Sequence, residues 1–122
     1  MATPVVRKIS DTIMAFGEPL ISQIDIEQPE ERVHGVFEHI IGIWNASVMA
    51  TPRWGQPHFL VDLQDRLRDP QLSAEVGEMH RLLTERRATH FAKDLRAVGT
   101  WSIHKDGNGW RLRCDARVPP LK

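Results

Sequence analysis

The apolar residues of this chain change their spacing once, and that change limits its architecture more than any other feature. Up to Asp94 they recur at steps of three and four, the repeat of one helix face, and from Thr100 at steps of two, the repeat of one strand face. A chain so patterned reads as α+β: a bundle of about four helices followed by a C-terminal antiparallel β-hairpin. At 122 residues it fits one domain.

Ile9, Ile13, Phe16, Leu20 and Ile24 predict a first helix over 9–25, but Gly17 and Pro19 lie inside it. A proline there lacks a backbone donor and clashes with the preceding turn, so a kink or restart is expected near Glu18. Gln28-Pro29-Glu30-Glu31 opens a second helix over 29–50, whose stripe of Val33, Val36, Phe37, Ile40, Ile41, Trp44 and Val48 is the broadest in the chain. It should lie at the centre of the core.

The stretch TPRWGQP reads as a loop, and Phe59, Leu60, Leu63 and Leu67 place a third helix over 57–69, stopped before Pro70. Leu72, Val76, Met79, Leu83, Arg87 and Phe91 predict a fourth over 71–94. Its second part is largely polar and is expected to pass beyond the core or to face charge. Trp101 and Ile103, then Trp110, Leu112, Cys114 and Ala116, form the inner face of a hairpin over 100–117. Asp106-Gly107-Asn108-Gly109 supplies its turn. Two strands alone are marginal, so this face must pack on the helices, and both outer edges remain to be covered.

With 41% hydrophobic and 26% charged residues, the composition is that of a globular rather than a disordered chain. The single Cys114 cannot close an internal disulfide, and no apolar run approaches the length of a membrane span. A cytoplasmic protein with no membrane partner is expected. The net charge of zero is unevenly spread: residues 1–75 carry 6 Lys and Arg against 11 Asp and Glu, and residues 76–122 carry 10 against 5.

Three histidines have an acid four residues on: His34 with Glu38, His58 with Asp62, and His90 with Asp94. That spacing puts both side chains on one helix face, where they could chelate a metal, although a solvated ion pair is its commoner meaning. Glu31 and His34 form one Glu-x-x-His element of the kind that di-metal bundles need twice, and no second copy exists. His34, Glu38, His90 and Asp94 are therefore the candidates for an alternative reading, a small metal-binding protein or enzyme. HExxH, CxxC, the Walker A loop and GxGxxG are absent, so no catalytic residue and no cofactor is assigned. Cys114 shares a strand face with Trp110 and Leu112 and reads as a small buried hydrophobe. Asn45, polar in the middle of the second helix, is expected to bond across to another helix.

The arginines form the strongest candidate site. Arg81, Arg86 and Arg87, then Lys93 and Arg96, then Arg111, Arg113 and Arg117 gather in the second half. Guanidinium forks hold phosphate or carboxylate at two points, so Arg86, Arg87, Arg96, Arg111 and Arg113 are the anion-binding candidates. Nucleic acid ranks lower as a partner, because Trp101 and Trp110 are placed facing the core and leave few rings for base stacking.

Arg86-Arg87, Phe91, Asp94, Arg96, Gly99 and Trp101, with Gly109, Arg111-Leu112-Arg113, Ala116-Arg117 and Trp44-Asn45-Ala46, resemble the pattern of a family of short, uncharacterised bacterial proteins. The resemblance implies a bacterial source and no mechanism. Asp94 and Arg96 stand where the last helix gives way to the hairpin, and an ion pair between them could set that angle or form a pocket floor. The whole reads as a non-enzymatic interaction module with a protein partner of unknown kind. A homodimer is expected through helical surface and the Trp54 loop, because paired hairpin edges would crowd Arg111, Arg113 and Arg117.

Overall fold

The computed structural model describes residues 8–25, 27–71, 73–107 and 109–119. Five helices precede two strands: α1 (Ile9–Phe16), α2 (Glu18–Ile21), α3 (Glu30–Met49), α4 (His58–Leu67), α5 (Ala74–His90), β1 (Ala97–Asp106) and β2 (Gly109–Arg117). The architecture is the mixed α+β one the change of spacing predicts. None of the described helices is long and apolar enough to cross a membrane.

The first predicted helix is two, broken at Gly17 so that Pro19 falls in the first turn of α2, where a missing N–H costs nothing. Gly17 is also where helix meets helix: a Cβ there would stand 2.8 Å from Ile40 Cδ1, so only glycine lets α1 press onto α3. α3 is the central element, with Val33, Phe37, Ile40, Ile41, Ile43, Trp44, Ala46 and Val48 all buried. It meets α1, α4, α5 and β1.

The last helix ends at His90 rather than Asp94, because Phe91 turns out of the helical conformation at φ −129°, ψ 12°. Of the polar second part of α5, residues 84–90, Arg87 is buried and Arg86 half-buried, while the rest is exposed. Leu72, counted in its apolar spacing, lies outside the described residues, as does Asn108 of the turn. Gly107 takes the positive φ, +61°, that the turn requires.

The hairpin begins at Ala97, three residues before the predicted start. Its register pairs Trp101 with Cys114, Ile103 with Leu112 and Lys105 with Trp110, so the alternation read from the sequence defines the inner face as far as Cys114, while Ala116, expected there too, lies past the irregularity and is exposed. An irregularity between Val98 and Trp101 hides the earlier start. There Asp115 reaches over the kinked strand, its Oδ1 accepting from Thr100 N at 2.6 Å and Thr100 Oγ1 at 3.2 Å. Gly99 leaves room for that carboxylate, since a Cβ would lie 2.5 Å from Asp115 Oδ1.

Candidate functional site at the helix-to-hairpin junction

Residues 91–96, between α5 and β1, form no regular structure, and their backbone groups need partners from elsewhere. Side chains of α3 and of the following loop supply them. Trp44 Nε1 donates to Arg96 O at 2.8 Å, and Trp54 Nε1 donates to Leu95 O at 2.7 Å. Asn45 acts as a third strand would: its Nδ2 donates to Val98 O at 3.0 Å while its Oδ1 accepts from Val98 N at 2.7 Å. Asn45 thus bonds to a strand, not to the helix the sequence suggested. Trp54 is half-buried against the core and held inside the chain, not left as exposed surface.

The arginines of α5 serve the same junction. Arg87 is 5% exposed, its Nη2 donates to Asp94 O at 2.6 Å, and its guanidinium lies 4.6 Å from the centre of the Trp44 ring. Burial lowers its proton affinity, against the pull of Asp94. Its Nε and Nη1 are buried without a hydrogen-bond partner, and the indole face offsets part of that cost. Arg86 donates from Nε to Phe16 O at 2.9 Å and from Nη2 to Ala15 O at 2.8 Å, tying α5 to the last turn of α1. Phe16, Trp44 and Phe91 pack edge to face beneath them, with centroids 5.1 to 5.9 Å apart.

Asp94 and Arg96 form the ion pair the junction reading anticipates, and it is two-pronged. Arg96 Nη2 meets Asp94 Oδ2 at 2.7 Å and Nε meets Oδ1 at 3.0 Å, while Arg96 N also donates to Oδ1 at 3.1 Å. Burial alone would raise the Asp94 carboxyl; the hydrogen bonds and charge of Arg96 outweigh it and hold the group below the ordinary carboxylate range. The same bonds raise Arg96, which further reaches Thr12 Oγ1 at 3.2 Å. Above the pair lies an open hollow of about 550 Å³ lined by Thr12, Thr89, His90, Phe91, Ala92, Lys93, Asp94 and Arg96.

Of the anion-binding candidates, the structure brings Arg86, Arg87 and Arg96 together at this junction and sets Arg111 and Arg113 on the outer hairpin face. Arg111 pairs with Asp106 at 2.6 Å, whereas Arg113 is exposed and no described side chain pairs with it. Arg81 bridges Glu78 and Glu85 on the solvent side of α5, both at 2.9 Å.

The histidine and acid pairs do not converge. His34 Nδ1 stands 3.9 Å from Glu38 Oε2 in solvent, with the ring stacked 4.6 Å from Trp101. His58 lies against Phe59, and His90 and Asp94 share the hollow while the carboxylate turns to Arg96. Among the described residues no group of three or more His, Cys, Asp or Glu is placed to hold a metal. Burial, then the charge of Asp115, pushes the Cys114 thiol up against the opposing pull of Arg96, so it is not the thiolate a nucleophile requires.

The sequence reading missed the indole donors Trp44 and Trp54, and Thr12 and Thr89 of the hollow. A signal for the first existed in Trp44-Asn45, two hydrogen-bonding side chains in the helix with the broadest apolar stripe, which must find partners when buried. No comparable signal marks the threonines. Compared with family models, with curated proteins and with solved structures, the chain matches none.

Proposed function

We propose that the protein is a non-enzymatic binding module whose junction hollow takes an anionic group, a carboxylate or phosphate carried by a small molecule or a partner side chain. One observation carries this reading: the hollow has a fixed charged floor and an unpaired cation at its wall. Arg96 and Asp94 hold each other rigidly, and the Lys93 ammonium beside them has no partner among the described residues. The lining thus holds two cations, Arg96 held in place and Lys93 exposed, against one carboxylate, with the Thr12 and Thr89 hydroxyls as neutral donors. A binding role fits better than catalysis because Asp94, the one acid in the hollow, is held ionised by Arg96 rather than poised near neutrality to exchange a proton.

Titration of labelled protein with inorganic phosphate, a tricarboxylate and a nucleoside triphosphate tests the reading. The expected shifts centre on Thr89, His90 and Lys93, and Lys93→Glu abolishes them. Shifts confined to Arg111 and Arg113 would transfer the anion site to the hairpin, and no shifts at millimolar ligand would overturn it.

A second reading, self-association, is favoured by a separate observation. Phe59 and Val61 on α4 are 42% and 52% exposed, and among the described residues the sheet has only two strands. Light scattering at micromolar concentration should give twice the mass of one chain, and a monomer mass that does not rise on concentration would refute it.

A further inference from the structure

Away from the junction, α3 and α5 are joined by a contact that leaves polar groups unsatisfied. His39 of α3 and His80 of α5 lie ring to ring, centroids 6.4 Å apart and planes at 61°. His39 Nε2 and His80 Nδ1 are both buried, and neither has a hydrogen-bond partner. A neutral imidazole can tolerate this by turning its lone pair inward and keeping its proton on the other nitrogen. A protonated one cannot, since both nitrogens then donate and the buried N–H would find no acceptor beside a second ring with the same difficulty.

The neighbouring groups offer no counter-charge. On α3, Glu38 turns to His34; on α5, Glu78 and Glu85 are held by Arg81, and Glu75 is exposed and lines a separate groove. Asp62 and Asp65 of α4 and Glu18 of α2 are exposed to solvent. Burial holds both rings below the ordinary histidine value, and the charge of His39 lowers His80 further. Nothing in the surroundings pulls the other way.

We infer that His39 and His80 form an acid-sensitive latch: as neutral rings they close the seam between α3 and α5, and protonation parts it. The same two helices also line, through Val36, Met79 and Leu82, a groove of about 450 Å³ that neither ring enters. The sign follows from linkage. The unfolded or opened rings bind protons more readily than the closed ones, so closure is complete above the ordinary histidine value and is lost as pH falls through the lowered ones.

Amide hydrogen exchange by NMR, corrected for intrinsic rates, tests the latch at about pH 7.5 and about pH 5. In the wild type, residues 74–82 should exchange about tenfold faster at the lower pH while the hairpin is unchanged. His39→Leu with His80→Leu should remove that difference. Equal protection of 74–82 at both pH values, or a difference that survives in the double variant, overturns the inference. Should the double variant fail to fold, the wild-type imidazole titration decides: both rings must titrate below 6.5, and either one titrating above it overturns the latch.

Discussion

The two ends of α5 solve opposite problems. Its C-terminal half buries Leu83 and Arg87 and hands Arg86 and Arg87 to the carbonyls of α1 and of the junction. Its N-terminal half buries nothing fully, ends in a Ser73 cap and meets α3 through two rings with unsatisfied nitrogens. α4 resembles this second half: it buries no residue, though its leucines follow the same helical spacing. What separates the regions is where polar groups go. At the junction Trp44, Asn45, Trp54, Arg86 and Arg87 each donate to a backbone carbonyl, although Arg87 keeps two buried nitrogens unpaired over the Trp44 ring; at the seam neither buried ring nitrogen has a match. A region held by matched polar groups over aromatic packing should resist local opening, and one held by a few half-buried leucines should not.

Trp44→Ala should break the contrast most severely. It removes a fully buried indole from the three-ring cluster, orphans the carbonyl of Arg96 and strips Arg87 of the face that shields it. A loss of about 3–5 kcal/mol is expected in denaturant unfolding, enough to unfold much of the population. Asn45→Leu keeps the volume but leaves both polar groups of Val98 unpaired, for about 2–3 kcal/mol, and β1 should then fray back toward Thr100. Backbone chemical shifts of 97–99 report that fraying directly.

Asp94→Asn sharpens the comparison by pH. Because Arg96 holds the carboxyl below its unfolded value, the stability it contributes is present above about pH 4 and is lost as pH falls through the lowered value. The substitution should cost about 1.5 kcal/mol at neutral pH, and the gap between variant and wild type should close once pH falls below the lowered value. Val61→Ser sits at the other extreme. With half its surface already in solvent, it should change stability by no more than about 0.5 kcal/mol, measured by the same unfolding curves.

How far the sequence disclosed this follows the same division. Apolar spacing located the helical stretches, with α1 and α2 read as one broken helix, and the inner face of the hairpin from Trp101 to Cys114, because burial of one face is what the spacing encodes. It misjudged the ends that side-chain bonds set. Phe91 continued the helical count, yet the chain leaves the helix there, with Arg87 bonded to the carbonyl of Asp94. β1 begins at Ala97 because Asn45, fifty-three residues before Val98, pairs with it. Asp94 and Arg96, two positions apart, were legible as a junction pair, since they need only each other. The place of Thr12 beside Arg96 was not, because it depends on how α1 docks. Arg87 was read as a candidate for external anions; that its guanidinium lies over Trp44 follows from tertiary packing with no local trace.

Native-state hydrogen exchange across a series of low denaturant concentrations tests the central claim, that matched polar groups make the junction the most stable part of the molecule. The amides of residues 83–90 and 97–98 should exchange only through global unfolding, with the full denaturant dependence, while those of 58–67 and 74–82 exchange through smaller openings that barely respond to denaturant. A single opening energy shared by both ends of α5, or earlier loss of protection at 83–90 than at 74–82, would contradict the account.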